Sequence, residues 1–165
     1  YTGFLYAGLM IDKQGNPKVI EFNCRFGDPE TQPIMLRMKS DLVDLCLAAC
    51  DGKLNEKTSE WDARASLGVV LAAGGYPAEY RTGDQIHGLP LEAVGHGKVF
   101  HAGTTLSADE RVLTSGGRVL CATALGDTVA EAQARAYALM ADIHWDGSFC
   151  RRDIGYRAIA REQQS

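Results

Sequence analysis

From Val19 to Phe26 the side chains alternate by chemistry, and this alternation limits what the segment can become. Ile20, Phe22, Cys24 and Phe26 fall on one parity; Glu21, Asn23 and Arg25 fall on the other. A strand sends successive side chains to opposite faces. The pattern therefore predicts a strand with one apolar face and one face carrying a carboxylate, a carboxamide and a guanidinium.

The residues before it supply a partner. Phe4 to Ile11 is rich in apolar and aromatic residues and reads as a buried strand. Asp12-Lys13-Gln14-Gly15-Asn16-Pro17 is a turn cluster, in which Gly permits positive φ and Pro interrupts a ladder. A hairpin of about 4–11 with 18–24 follows. Two helices are expected next. One spans about Pro33 to Met38, and the other Asp41 to Cys50, with Ser40 or Asp41 as cap. Leu42, Leu45, Cys46 and Ala49 stand at i, i+3, i+4 and i+7, so one face of the second helix is buried.

Residues 53–62 are polar and read as a connector, and after it the character changes. Ser66 to Ala73 is a continuous small and apolar strand, broken by Gly74-Gly75-Tyr76-Pro77. Short strands are expected near Gln85–Leu89, Lys98–Ala102 and Arg111–Thr114. Arg118–Leu125 should pair with its predecessor as a hairpin across Ser115-Gly116-Gly117. Thr128-Val129-Ala130-Glu131 has the capping-box spacing and opens an alanine-rich helix to about Ala141. A short helix is expected over Ile154–Arg161. The fold class is thus α+β: antiparallel strands plus helices over residues 1–60, then a small strand-rich domain over 61–165 closed by a helix.

Composition narrows the function. The net charge is −4 over 165 residues, and the basic residues form no dense tract, which argues against nucleic acid as a partner. No run approaches ~18 apolar residues, so no membrane-spanning helix is expected. Five cysteines, an odd number without a CxxC pair, suit a reducing cytoplasm. Cys46 and Cys50 read as packing residues on an apolar helix face. His87, His96, His101 and His144 are isolated in sequence and read as surface or structural residues. Gly74-Gly75 and Gly116-Gly117 read as turns.

The chemistry sits on the polar parity. Residues i and i+2 lie about 6.5–7 Å apart along a strand, so Glu21 and Asn23 can converge on one cation. A carboxylate with an amide carbonyl is a hard-oxygen pair suited to Mg²⁺ or Mn²⁺, with phosphate oxygens and water completing the shell. Arg25 is no ligand; its fork suits a phosphate, a carboxylate or a developing oxyanion. A half-exposed strand with a polar outer face would show the same alternation. Against that plainer reading, Asn is a poor strand residue. The strand also leads directly into Gly27-Asp28-Pro29-Glu30, which adds two carboxylates.

Leu5-Tyr6-Ala7-Gly8-Leu9-Met10 and Glu21-Phe22-Asn23-Cys24-Arg25-Phe26-Gly27-Asp28-Pro29-Glu30-Thr31-Gln32 resemble the C-terminal part of the glycinamide ribonucleotide synthetase (phosphoribosylamine–glycine ligase) family, within the ATP-grasp superfamily. The similarity continues through Leu71–Pro77, Val99–Thr104, Thr114–Leu120 and Ile143–Trp145, and so covers essentially the whole chain. The resemblance implies an enzyme. ATP phosphorylates the carboxylate of glycine, and the amine of 5-phosphoribosylamine displaces phosphate to give glycinamide ribonucleotide, ADP and phosphate.

Carried over by position, Glu21 and Asn23 match the magnesium ligands, and Arg25 the arginine expected near the γ-phosphate or acyl phosphate. Asp28 and Glu30 would line or brace the acceptor-substrate side. The preceding strand departs from many ATP-grasp enzymes: it offers Leu9, Met10 and Ile11 where a further carboxylate is often found. Nothing here resembles the lysine-bearing, nucleotide-covering half of such a domain. Tyr1 opens a strand-like segment, so the expectation is the last part of a longer ligase, inactive in isolation. Two alternatives stay open: a non-catalytic interaction or assembly module, and a different ATP-grasp enzyme such as a biotin-dependent carboxylase.

Overall fold

A computed structural model describes every residue except Ala93 and Ser165. The chain groups into two units: Tyr1–Thr31 with Met38–Trp61, and Gln32–Arg37 with the residues from Asp62 onward.

In the first unit, β1 (Tyr6–Ile11) and β2 (Pro17–Asn23) form an antiparallel hairpin. The Asp12 carboxylate closes its turn by accepting from the backbone N–H of Gln14 and of Asn16, each at 2.9 Å. These bonds, that from Asn16 foremost, hold the Asp12 carboxyl below the usual range. Gly15 takes the positive φ (87°) the turn needs. The strand begins at Tyr6, two residues later than expected, and it is not buried. Leu9, Met10, Ile11, Val19, Ile20 and Phe22 are all exposed, Phe22 by 61%. The expected apolar face exists, but the hairpin carries no layer over it.

The helix α2 (Leu42–Cys50) is capped by the Asp41 side chain, which accepts from Val43 N–H at 2.8 Å. Leu42, Leu45, Cys46 and Ala49 are half-buried as the spacing predicts, and Ala48 is buried; Cys50, expected in the packing, is exposed. A 3₁₀ turn follows at Leu54–Glu56. The connector returns alongside residues 38–40: Lys39 N–H donates to Glu60 O, and Glu60 N–H to Ser40 Oγ.

The second unit is built on a three-stranded antiparallel sheet in the order β3 (Ala65–Ala72), β7 (Arg118–Gly126), β4 (Gly97–His101). Eight of the nine residues of β7 are buried. On one face, α3 (Val129–Leu139) lays Ala132 and Ala136 against the sheet, both fully buried. A Cβ on Gly97 would meet Leu139 Cδ1 of α3 at 2.5 Å, so small residues let helix and sheet approach closely. On the other face, a Cβ on Gly68 would meet Cys121 Sγ at 3.0 Å, Pro33 Cγ at 3.2 Å and Thr123 Oγ1 at 3.3 Å. This contact is made by α1 (Thr31–Arg37), which explains why Gln32–Arg37 groups with this unit. Pro33 sits inside the first turn, where a missing N–H leaves no bond unmade.

The hairpin expected between 111–114 and 118–125 does not form. β6 (Val112–Thr114) pairs instead with β5 (Thr104–Leu106), which the sequence reading did not find. Both edges of β7 are already occupied by β3 and β4. The 115–117 segment is a crossing point rather than a reversal: Ser115 N–H donates to Gly103 O at 2.7 Å and Gly117 O accepts from Ala73 N–H at 2.8 Å. A Cβ on Gly103 would stand 2.7 Å from Gly116 Cα, so the two backbones need glycine there. Gln85–Leu89, expected as a strand, makes isolated bridges at Gln85 to Leu113 and at His87 to His144. Gly88 at φ 73° breaks the run.

The capping box of α3 is present in a shifted form. Thr128 Oγ1 accepts from Glu131 N–H, while the Glu131 carboxylate accepts from Asp127 N–H instead of Thr128 N–H. The last helix, α4 (Tyr156–Glu162), is tied to α3 through Gln133 Nε2, which donates to Ile154 O at 2.6 Å. Among the described residues no helix is long and apolar enough to cross a membrane.

Leu120 is fully buried in the core around β7. Leu120→Ala is expected to lower the unfolding free energy by about 2–5 kcal/mol through lost burial and the cavity left behind. The urea midpoint measured by circular dichroism checks this.

Candidate active site on the first hairpin

The pairing register decides which side chains meet. From the turn upward, Ile11 faces Pro17, Met10 faces Lys18 and Leu9 faces Val19; then the register slips, and Gly8 faces Glu21, Ala7 faces Phe22 and Tyr6 faces Asn23. Ile20 is the extra residue of a β-bulge, a device that re-aims the side chains beyond it. Strict alternation therefore stops at Ile20 and resumes from Glu21. Without the slip, Glu21 would stand opposite Ala7. With it, Tyr6, Gly8, Glu21 and Asn23 share one face.

Gly8 leaves room on that face: a Cβ there would be 3.1 Å from Glu21 Cγ. Asn23 Nδ2 donates to Glu21 Oε1 at 3.1 Å, so the two predicted ligands are in direct contact. Arg25 lies past the end of β2, and its Nη1 donates to Phe26 O at 2.9 Å. The turn that follows is closed by Thr31, whose Oγ1 and N–H both donate to Gly27 O. Asp28 is exposed in this turn. The rings of Phe4 and Phe26 pack with centroids 4.3 Å apart beside it.

Glu30 is returned to the hairpin by a residue the sequence reading missed. Tyr6 Oη donates to Glu30 Oε1 at 3.2 Å. A Cβ on Gly27 would lie 2.7 Å from the Tyr6 ring, so only glycine lets the turn come this close. The charge of Glu30 is the main reason the Tyr6 hydroxyl titrates above its ordinary range; Glu21 adds to the rise and Arg25 opposes it. Tyr6 thus stands within the field of two carboxylates and one guanidinium. The only signal for it in the sequence was its position in β1, and that signal needed the bulged register to be read.

The structure brings together Glu21 with Asn23, and Glu30 with Tyr6. Among the described residues no cluster of three or more His, Cys, Asp or Glu could hold a metal. The donor chemistry of Glu21 and Asn23 nevertheless fits a hard cation that takes its remaining ligands from phosphate and water. Rotation of the Asn23 amide would turn its carbonyl oxygen, in place of the NH₂, toward such an ion.

Residues 66–157 match the model of "Phosphoribosylglycinamide synthetase, C domain", and residues 1–31 match that of "Phosphoribosylglycinamide synthetase, ATP-grasp (A) domain". The chain belongs to the phosphoribosylglycinamide synthetase family. It is 86% identical over 163 residues to a phosphoribosylamine–glycine ligase of Salmonella typhimurium, covering 99% of this chain and 38% of that protein. It therefore spans well under half the length of the curated relatives it matches. The crystal structure of the phosphoribosylamine–glycine ligase of Thermotoga maritima is similar with a TM-score of 0.73 and 37% identity, over 91% of this chain and 36% of that one. The biotin carboxylase domain of a 2-oxoglutarate carboxylase from Hydrogenobacter thermophilus matches at a TM-score of 0.58 with 14% identity, over 87% of this chain and 32% of that one, which is a likeness of fold alone. The synthetase family thus takes precedence over the carboxylase alternative.

In this family member the Tyr6–Glu30 bond makes a testable statement about titration. Because the folded state holds the phenolic proton more tightly, the bond is fully present below the ordinary tyrosine value of about 10 and is lost as pH rises through the raised one. Glu30→Gln removes the main cause. The Tyr6 titration, followed by NMR of labelled tyrosine, is expected to move down toward the ordinary value. An unchanged titration would contradict the contact.

Proposed function

We propose that this chain carries part of the active site of an ATP-dependent phosphoribosylamine–glycine ligase, and that it works within a longer protein. The observation that carries the reading is the contact of Glu21 with Asn23 on one hairpin face, in a chain of this family. Residues 1–60 are assigned as the closing part of the ATP-grasp domain and 61–165 as the C-terminal domain. The match of residues 1–31 to the ATP-grasp model supports the first assignment. Five cysteines without a disulfide among the described residues support a cytoplasmic setting.

The reaction joins glycine to 5-phosphoribosylamine. ATP transfers its γ-phosphoryl group to the glycine carboxylate, giving glycyl phosphate and ADP. The amine then attacks the acyl carbon and expels phosphate, forming glycinamide ribonucleotide. Phosphoryl transfer of this kind depends on positioning and on neutralising charge. Glu21 and Asn23 would hold Mg²⁺, or Mn²⁺, which when bound neutralises phosphate charge. Arg25, next to the turn, would hold the γ-phosphate or the acyl phosphate by paired N–H bonds. Asp28 and Glu30 would face the acceptor amine, with Tyr6 fixing the Glu30 carboxylate.

In the full-length enzyme, Glu21→Gln and Asn23→Ala are each expected to weaken magnesium–nucleotide use, and Arg25→Ala to reduce kcat by about 10²–10³. Steady-state kinetics at varied metal and ATP check this, and wild-type constants in all three variants would overturn the site. The 165-residue chain alone is expected to release no phosphate when given ATP, glycine and phosphoribosylamine together. Release dependent on all three substrates would show that the chain suffices.

A further inference from the structure

Two histidines that stand far apart in sequence meet in the second unit. Their backbones exchange both hydrogen bonds: His87 N–H donates to His144 O at 2.9 Å, and His144 N–H donates to His87 O at 3.1 Å. Residues paired this way in an antiparallel ladder send their side chains to the same face. The two imidazoles accordingly lie nearly parallel, with 25° between their planes and 5.4 Å between their centroids.

The core fixes this meeting from below. Ile86 precedes His87, Ile143 and Trp145 flank His144, and all three are buried in the hydrophobic cluster around β7. Successive residues of an extended segment alternate in direction, so His87 and His144 point outward, and both are exposed. Gly88, at φ 73°, lets the backbone pass against Asp142 O, where a Cβ would collide. Packing therefore sets the position of both histidines, independently of anything their rings bind.

One ring is also set in its tautomer. His144 Nδ1 stands 2.9 Å from Asp142 O. A carbonyl only accepts, so Nδ1 carries the hydrogen and Nε2 keeps its lone pair. A ring N–H given to a backbone carbonyl is the usual support of a metal-binding imidazole. Among the described residues the His87 ring carries no hydrogen bond, so it can present either nitrogen.

We propose that His87 and His144 form a two-imidazole site for a divalent transition-metal ion such as Zn²⁺, which clips residues 85–88 to 142–145. Imidazole suits such ions, whereas Mg²⁺ takes oxygen, so the site differs in chemistry from Glu21 with Asn23. Two nitrogens at about 2.0–2.1 Å from one tetrahedral ion lie about 3.3 Å apart. Side-chain rotation, chiefly of the untied His87, supplies that spacing. Among the described residues no third His, Cys, Asp or Glu joins the pair, and water takes the remaining positions, as in an open site.

The test titrates the whole 165-residue chain with zinc chloride at constant pH and reads the ring ¹⁵N shifts of each histidine by NMR. His87 and His144 are expected to shift together along one saturable curve, while His96 and His101 stay in place at the same zinc concentrations. Two ligands on one frame bind roughly 10²–10⁴ times more tightly than one alone. His87→Gln and His144→Gln should therefore each weaken zinc binding at the remaining ring by about tenfold or more, and His101→Gln should leave it unchanged. Circular dichroism checks that each variant folds; if one does not, the other tests the same pair. Excess Mg²⁺ should neither shift the rings nor displace the zinc. Separate curves for the two rings, an equal shift at His96 or His101, a smaller loss in the Gln variants, or displacement by Mg²⁺ would overturn the proposal. None of these readouts depends on ligase activity.

Discussion

β7 is buried on both faces along nearly its whole length, and a strand in that position needs a covering layer on each side. That demand organises the second unit. Small residues on one face, Ala122 and Ala124, admit the alanine-rich side of α3; Cys121 and Thr123 on the other meet Gly68 and Pro33. Each fully buried Val or Leu contributes roughly 1.5–3 kcal/mol relative to exposure, and β7 supplies Val119 and Leu120 side by side, with Leu125 near its end. With both edges paired as well, β6 has no place beside it and joins β5. The 115–117 segment becomes a tight passage between neighbouring backbones, held open by glycine.

The first unit follows a different economy. Its hairpin keeps large apolar side chains exposed on β1 and β2, so its stability within these residues comes from the ladder, the Asp12 turn and the Phe4–Phe26 contact. The site it carries is a local construction. One bulge at Ile20 moves Glu21 from opposite Ala7 to opposite Gly8. The absence of a side chain at Gly8 and Gly27 then lets Glu21 and Glu30 settle close to Tyr6. Three small features of the backbone thus assemble a polar face with two carboxylates, an amide and a phenol.

Charge is distributed in the same selective way. A chain that is acidic overall gathers Arg151, Arg152, Arg157 and Arg161 in and just before α4, where Asp153 accepts the fork of Arg151 and Glu162 accepts from Val129 N–H at the start of α3.

Much of this was legible in the residues. The hairpin, α2 with its Asp41 cap, the start of α3 at Thr128, and the buried strands β3 and β7 all follow from local patterns: period-two or continuous apolar runs, turn chemistry and capping spacing. The identities of Glu21, Asn23, Arg25, Asp28 and Glu30 as candidates came from residue chemistry and from family resemblance. What local pattern cannot contain is which elements become neighbours. The grouping of α1 with the second sheet and the meeting of His87 with His144 join residues far apart in sequence, and β6 turns back to β5 only because both edges of β7 are taken. The decisive case is the bulge. Sequence by itself determined that Glu21 and Asn23 share a face, because a strand has period two. Only the paired structure decided that Tyr6 and Gly8 share it with them, because a slip of one residue in the ladder changes every partner beyond it.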